Sequence, residues 1–238
     1  KWSYEVVDGN GSIVNDYKDP VRVKTASTVS VSNACVSTSA GLQVFYRDDS
    51  QGILLGATQI AGKWSYELVD GDRDTNGRST GDVGFHVKAL NVGNSVYLLY
   101  DSVLQVNQDK TPIRGEMRLA TRQTAYPEDW VYSTPDPAAN GTSIAGFDVA
   151  LAQNKGVITG AWLASTGIAL PGADQVRWAV LNANPVISST PSDFFGSPTP
   201  AVGTDGSQVL FNCQTRLCAA TTADKGIKFV SGLDFTSS

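Results

Sequence analysis

The chain has 238 residues, 41% of them hydrophobic and only 17% charged, with a net charge of −5 and a pI near 4.8. That is ample apolar material for one large core, while an acidic chain without clustered Lys or Arg argues against a nucleic-acid-binding surface. No apolar run reaches the ~18 residues that cross a bilayer as a helix, so no membrane span is expected.

The first segment, Lys1-Trp2-Ser3-Tyr4-Glu5-Val6-Val7-Asp8-Gly9, has strand length and no signal-peptide pattern before it. The chain is therefore expected to be a processed form or an excerpt of a longer one. Short apolar runs follow at Thr28–Val31, Leu42–Asp48 and Ile53–Thr58. Then Lys63-Trp64-Ser65-Tyr66-Glu67-Leu68-Val69-Asp70-Gly71 repeats the opening nine residues with a single change. The second unit runs through Gly84–Leu90, Val96–Ser102 and Glu116–Arg122 to a weaker copy, Asp129-Trp130-Val131-Tyr132. The third runs through Gly146–Leu151, Val157–Leu163 and Gln175–Leu181 to Asp193-Phe194-Phe195-Gly196. The fourth is compressed: Pro200–Val202, Gln208–Cys213, Arg216–Thr221 and Ile227–Val230. The markers Trp2, Trp64, Trp130 and Phe194 stand 62, 66 and 64 residues apart.

Each run is rich in β-branched or aromatic residues and bounded by Gly, Asn, Asp, Ser or Pro, which is the strand signature. No window keeps a 3.6-residue apolar period. Four short strands in each repeat give the arithmetic of a propeller blade. The expected fold is all-β: one domain over 1–238, a β-propeller of four or five four-stranded blades, or a fragment of a larger one. Its units are roughly 1–24 (a closing strand), 25–78, 79–140, 141–198 and 199–238. The chain starts with an outermost-type strand and ends with another, Ile227–Val230. Either Trp2–Val7 completes the last blade by circular closure or earlier blades are absent, and closure is the expectation.

The succession Trp64-Ser65-Tyr66-Glu67, Gly81-Asp82-Val83-Gly84, Tyr100-Asp101 and Leu119-Ala120-Thr121 resembles sialidase-type and similar repeat propellers of bacterial extracellular proteins. The likeness holds through units one and two, is partial in three and weak in four. It implies a fold rather than an activity.

The loop Asp70-Gly71-Asp72-Arg73-Asp74-Thr75-Asn76 alternates oxygen-bearing side chains with spacers, a pattern that can converge on Ca²⁺. Asp70, Asp72, Asp74 and Asn76 are its candidate ligands, although a solvated acidic loop accounts for them as well. Asp8–Asp16 is a fainter echo. His86, the sole imidazole, aligns with Asp148 in the next unit, where both would lie on innermost strands. Asp82, His86, Tyr100, Asp101 and Asp148 are the candidate ligand-binding residues at a rim or channel mouth. With one His, a Ser–His–Asp or Cys–His apparatus is not expected. Glycoside hydrolysis needs two carboxylates across one bond. Asp48, Asp49, Asp82, Asp101, Glu116 and Asp148 are available, but turn chemistry explains most of them. Arg47, Arg118 and Arg177 do not fall at equivalent repeat positions by spacing, as an arginine cluster for an acidic substrate would. The recurrent Trp and Tyr residues fit core packing at blade seams, with one sugar-stacking platform per blade as the other reading.

Cys213 and Cys218 flank four residues, a spacing that fits a disulfide across a hairpin. Free thiols or a metal pair are the other readings, and Cys35 is left over. A staple implies an oxidising compartment. Asn10-Gly11-Ser12 and Asn140-Gly141-Thr142 are glycosylation sequons. The function expected from sequence is a non-catalytic binding or scaffold module, extracellular, cell-surface or periplasmic, with a protein or glycan partner at a rim and a place in a larger assembly. A carbohydrate-binding or carboxylate-dependent glycan-cleaving propeller is the alternative.

Overall fold

The computed structural model describes residues 2–8, 29–71, 77–123, 130–137, 143–165, 175–183, 187–189, 208–213, 216–223 and 226–230. Every regular element among them is a strand. Four strands, β1 (Val29–Thr38), β2 (Gly41–Asp48), β3 (Ile53–Ile60) and β4 (Lys63–Asp70), pair in chain order as an antiparallel meander. A second meander comprises β5 (Asp82–Val92), β6 (Ser95–Val106), β7 (Pro112–Gln123) and β8 (Val131–Asp136). The third comprises β9 (Ser143–Asn154), β10 (Val157–Ser165), β11 (Gln175–Val180) and β12 (Ser188–Ser189). Three more strands follow in the same manner: β13 (Gln208–Cys213), β14 (Arg216–Ala223) and β15 (Gly226–Val230). Two parallel pairs, Arg114↔Ser143 and Gly115↔Ile144, join the second meander to the third.

The first strand of each meander packs on the first strand of the next: β1 on β5, β5 on β9, β9 on β13. Sheets arrayed this way are the blades of a β-propeller, with first strands innermost. The hairpins suit the twist. Ala61 and Gly62 between β3 and β4, and Lys155 and Gly156 between β9 and β10, all have positive φ. Two such residues form the primed two-residue turn that matches right-handed strands.

Neighbouring residues on a strand point to opposite faces, so β6 serves two seams. Leu98 and Tyr100 join Phe45, Leu54 and Val69 of the first blade in one buried cluster. Leu99 joins Val149, Ile158 and Trp162 of the third blade in another. Strands buried on both faces have no polar side to show, which is why Val96–Tyr100 is continuously apolar.

One expectation changes: because β13 packs on β9, Gln208–Cys213 is an innermost strand, and β15 lies third from the axis among the described residues. Among the described residues, 2–8 form no strand pairing, and Trp2 is fully exposed whereas Trp64 sits half-buried in β4.

Candidate functional site

Polar side chains gather in two places, the blade seams and the rim around the inner strands. In the first seam Asp70, ending β4, is fully buried. Its Oδ2 accepts hydrogen bonds from Tyr100 Oη at 2.6 Å and Arg118 Nε at 2.8 Å, and its Oδ1 from the amides of Ser79 and Gly71. In the second seam Asp136, ending β8, accepts from Trp162 Nε1 at 2.7 Å and Arg177 Nη1 at 3.1 Å. Tyr100 pairs across its hairpin with Arg118, and Trp162 with Arg177. The two arginines are therefore equivalent, contrary to what linear spacing implies. Hairpins of different length separate each arginine from its partner and hide the match.

A second polar contact lies elsewhere in the first seam. Glu67 receives Arg122 Nη1 at 2.8 Å and Trp130 Nε1 at 3.2 Å, while Arg122 Nη2 donates to Gln43. The Arg122 guanidinium lies 4.2 Å from the Trp130 ring centre, and Trp130 meets Phe45 edge-to-face. Tyr132 Oη donates to Val69 O, and burial pushes its pKa up to about 12. The repeat tryptophans and tyrosines in these strands thus bolt blades together.

The rim is built from bulges. The inner strands break register opposite the Tyr46, Tyr100 and Trp162 positions: between Val29 and Asn33, between Val83 and Lys88, and between Ala145 and Val149. Such irregularities re-aim side chains. In β5 the bulge holds Gly84 at φ 88 and His86 at φ 52. The left-handed region costs a non-glycine residue about 1–3 kcal/mol. The Val87 amide donates to Ser32 Oγ on β1, pinning the bulge to the neighbouring blade. His86 Nδ1 lies 3.2 Å from Asp101 Oδ1, with side-chain exposures of 42% and 7%. Desolvation opposes the imidazolium, but the Asp101 hydrogen bond, the charges of Asp101 and Asp148, and the Gly146 carbonyl together hold its pKa above 6.5. Burial raises the Asp101 pKa against the pull of His86. Asp148 occupies the matching bulge of β9, its Oδ1 accepting from the Val149 amide.

Arg47 crosses from β2 to this rim. Its side chain is 4% exposed and bonds Asp49 Oδ1 at 2.7 Å, Asp82 Oδ1 at 2.6 Å and Val83 O, with Phe85 stacked 3.7 Å below the guanidinium. Beside it opens a groove of about 400 Å³ lined by Asp49, Ser50, Gln51, Gly52, Thr80, Gly81 and Asp82. Gly52 is required there, because at φ 69 a Cβ would stand 2.5 Å from Asp82 Oδ1.

Of the candidate ligand residues, His86 and Asp101 touch, and Asp148 lies within their electrostatic reach. Asp82 stands nearby in the Arg47 cluster. Tyr100 does not belong with them: it is fully buried in the seam, and burial together with Asp70 raises its pKa well above 10. Asp70 is likewise committed to the seam, where both of its carboxylate oxygens accept hydrogen bonds. Asp72, Asp74, Asn76 and both sequons lie outside the described residues. No group of three or more His, Cys, Asp or Glu residues suited to a metal occurs among the described residues. In β13 and β14, Cys213 pairs with Arg216 and Cys218 with Phe211, so the cysteines sit diagonally and not face to face. Cys35 is a free, exposed thiol. Sequence reasoning missed Arg47 as the hub of the rim; its only signal is a cation beside two acidic residues at a hairpin.

No protein-family model and no curated protein sequence matches the chain. Among solved structures it is similar to the crystal structure of an alpha-L-arabinofuranosidase from Lactobacillus brevis, with 8% identity and a TM-score of 0.47, covering 83% of this chain and 65% of that one. The chain thus spans under two thirds of that neighbour's length, and a likeness at this level carries no argument about chemistry.

Proposed function

We propose that the chain is a non-catalytic binding or scaffold propeller, extracellular or surface-displayed, which holds its partner at the rim around Asp82 and His86. One observation carries this: among the described residues, Arg47, Asp49, Asp82, His86 and Asp101 at the rim are engaged with one another. Arg47 holds Asp49 and Asp82, His86 holds Asp101, and Arg118 and Arg177 are consumed in seams. Arg118 and Arg177 are not available to clamp an acidic substrate in the sialidase manner. What the rim offers is a fixed set of hydrogen-bonding groups on a rigid frame.

A second reading, sugar binding, is favoured by the groove lining, where two carboxylates, two hydroxyls and an amide alternate. Such groups hydrogen-bond polyols, and pockets commonly orient ligands with a few polar groups of this kind. A glycan-array screen with and without EDTA, repeated with Asp82→Asn, separates the cases. Binding lost in the variant supports the sugar reading, turnover of a glycoside overturns the non-catalytic one, and silence favours a protein partner. A melting temperature unchanged by EDTA would count against calcium in the Asp72–Asn76 loop. One alkylated cysteine in an intact-mass measurement supports a Cys213–Cys218 bond and an oxidising compartment.

A further inference from the structure

Equivalent bulges of the inner strands carry different side chains. Counting from the paired residue that precedes each irregularity (Val29, Val83 and Ala145), the third residue on is Ser32 in the first blade, His86 in the second and Asp148 in the third. The partners of those paired residues are Asp48, Ser102 and Ala164, each two positions beyond Tyr46, Tyr100 or Trp162. Ser32, His86 and Asp148 therefore hold the same place in successive blades.

A bulge takes backbone groups out of the ladder, and a buried amide needs an acceptor. In β9 the bulge supplies its own: the Val149 amide donates to Asp148 Oδ1 at 2.9 Å. In β5 the equivalent residue, Val87, is buried at 1% exposure. His86 offers its amide no acceptor, because Nδ1 is engaged with Asp101 Oδ1 at 3.2 Å and the ring also meets the Gly146 carbonyl. The acceptor comes from the blade before, where Ser32 Oγ takes the Val87 amide at 2.8 Å. Further along the same two strands, Asn91 Nδ2 donates to Ser37 O at 2.8 Å.

We infer that Ser32 is a positioning residue for His86: by accepting from the Val87 amide, it leaves the imidazole free to reach Asp101 and the third blade. Without that hydroxyl the amide competes for a ring nitrogen, as the Val149 amide holds the Asp148 carboxylate in β9. An imidazole nitrogen that accepts from an amide carries no proton, so the ring is then neutral and its bond to Asp101 is given up. The charged and polar groups facing the ring are Asp101 on β6, the Gly146 carbonyl and Asp148 on β9, with Arg47 of β2 acting on Asp101 and exposed Lys88 on the same strand. Ser32 has this role whichever partner the rim takes.

The NMR titration of the imidazole in the full chain reads this. Ser32→Ala should lower the His86 midpoint by at least about 0.5, because the competing amide favours the neutral ring. Ser32→Thr keeps the hydroxyl and should restore the original midpoint. Asn91→Ala removes the other bond between β1 and β5 and should leave the midpoint unchanged, which separates positioning from a loosened seam. A midpoint unmoved by Ser32→Ala, or moved as far by Asn91→Ala, would overturn the inference. If Ser32→Ala does not fold, amide exchange on the unaltered protein decides. The Val87 amide should then exchange at least about tenfold more slowly than an exposed amide, and an unprotected Val87 amide would overturn the inference as well.

Discussion

Asp70 in the first blade and Arg118 in the second meet at 2.8 Å, and neither side chain is more than 8% exposed. Tyr100 shares the same carboxylate oxygen, so one side chain satisfies a cation, a phenol and two backbone amides. Burial works against the guanidinium charge, but Asp70 and Tyr100 more than compensate and raise the Arg118 pKa further. The outer strand of one blade is thereby fixed to the second and third strands of the next.

Removing one member of such a pair strands the other in a dry site, a loss of about 3–5 kcal/mol. Asp70→Ala should lower stability by that amount in urea unfolding. Asp136→Ala should cost less, because Arg177 is 17% exposed. A loss below about 1 kcal/mol for Asp70→Ala, the range of surface pairs, would show that the seam does not depend on this contact.

Much of the frame was legible because Trp64-Ser65-Tyr66-Glu67 copies the opening residues almost unchanged, and four strands per copy leave few architectures. The equivalence of Arg118 and Arg177 was not, since cross-strand pairing is invisible to linear spacing when hairpins differ in length. Tyr100 and Asp101 show another limit. Adjacent residues on a strand must face opposite ways, so one had to enter the seam and the other the bulge. Nothing in the sequence says which. Arg47 reaches the rim only because the β5 bulge brings Asp82 and Phe85 beneath it.

Gly146 offers a test of how tightly the bulges are packed. At φ 106 it presses on β6, and a Cβ would stand 2.3 Å from Asp101 Cβ and 2.6 Å from Met117 Sδ. Gly156, at φ 85, has nothing within 4 Å. Gly156→Ala should cost only the backbone strain of a positive φ, about 1 kcal/mol. Gly146→Ala adds a clash and should cost well over about 2 kcal/mol. Equal melting temperatures for the two variants would mean the third blade is not seated on Asp101.

The Glu67–Arg122 pair should behave as a coupled unit. Arg122 is fully buried with Glu67, Gln43 and Trp130 around it. Glu67→Met leaves a buried cation short of its counter-charge and Arg122→Met leaves a buried carboxylate without its cation, whereas replacing both by Met removes the charges together. A double-mutant cycle should return a coupling of about 1–3 kcal/mol, with the double variant losing less than the two singles combined. Strict additivity would place the two residues in separate networks.

His86 gives the rim a pH dependence of definite sign. Its folded pKa lies above 6.5 because Asp101 and Asp148 outweigh desolvation. The stabilisation is therefore fully present below about pH 6.5 and fades as pH rises through the folded value. Asp101 acts in the same sense, since burial raises its pKa and the folded state keeps its proton above the unfolded value of 3.8. Lowering the pH from about 8 to 6 should then raise the melting temperature of the protein, and His86→Gln should flatten that slope. As the sole histidine, His86 gives one imidazole signal in NMR, so the assignment is unambiguous. A titration midpoint below 6.5 would mean that desolvation wins and that the Asp101 contact does not hold a charged ring.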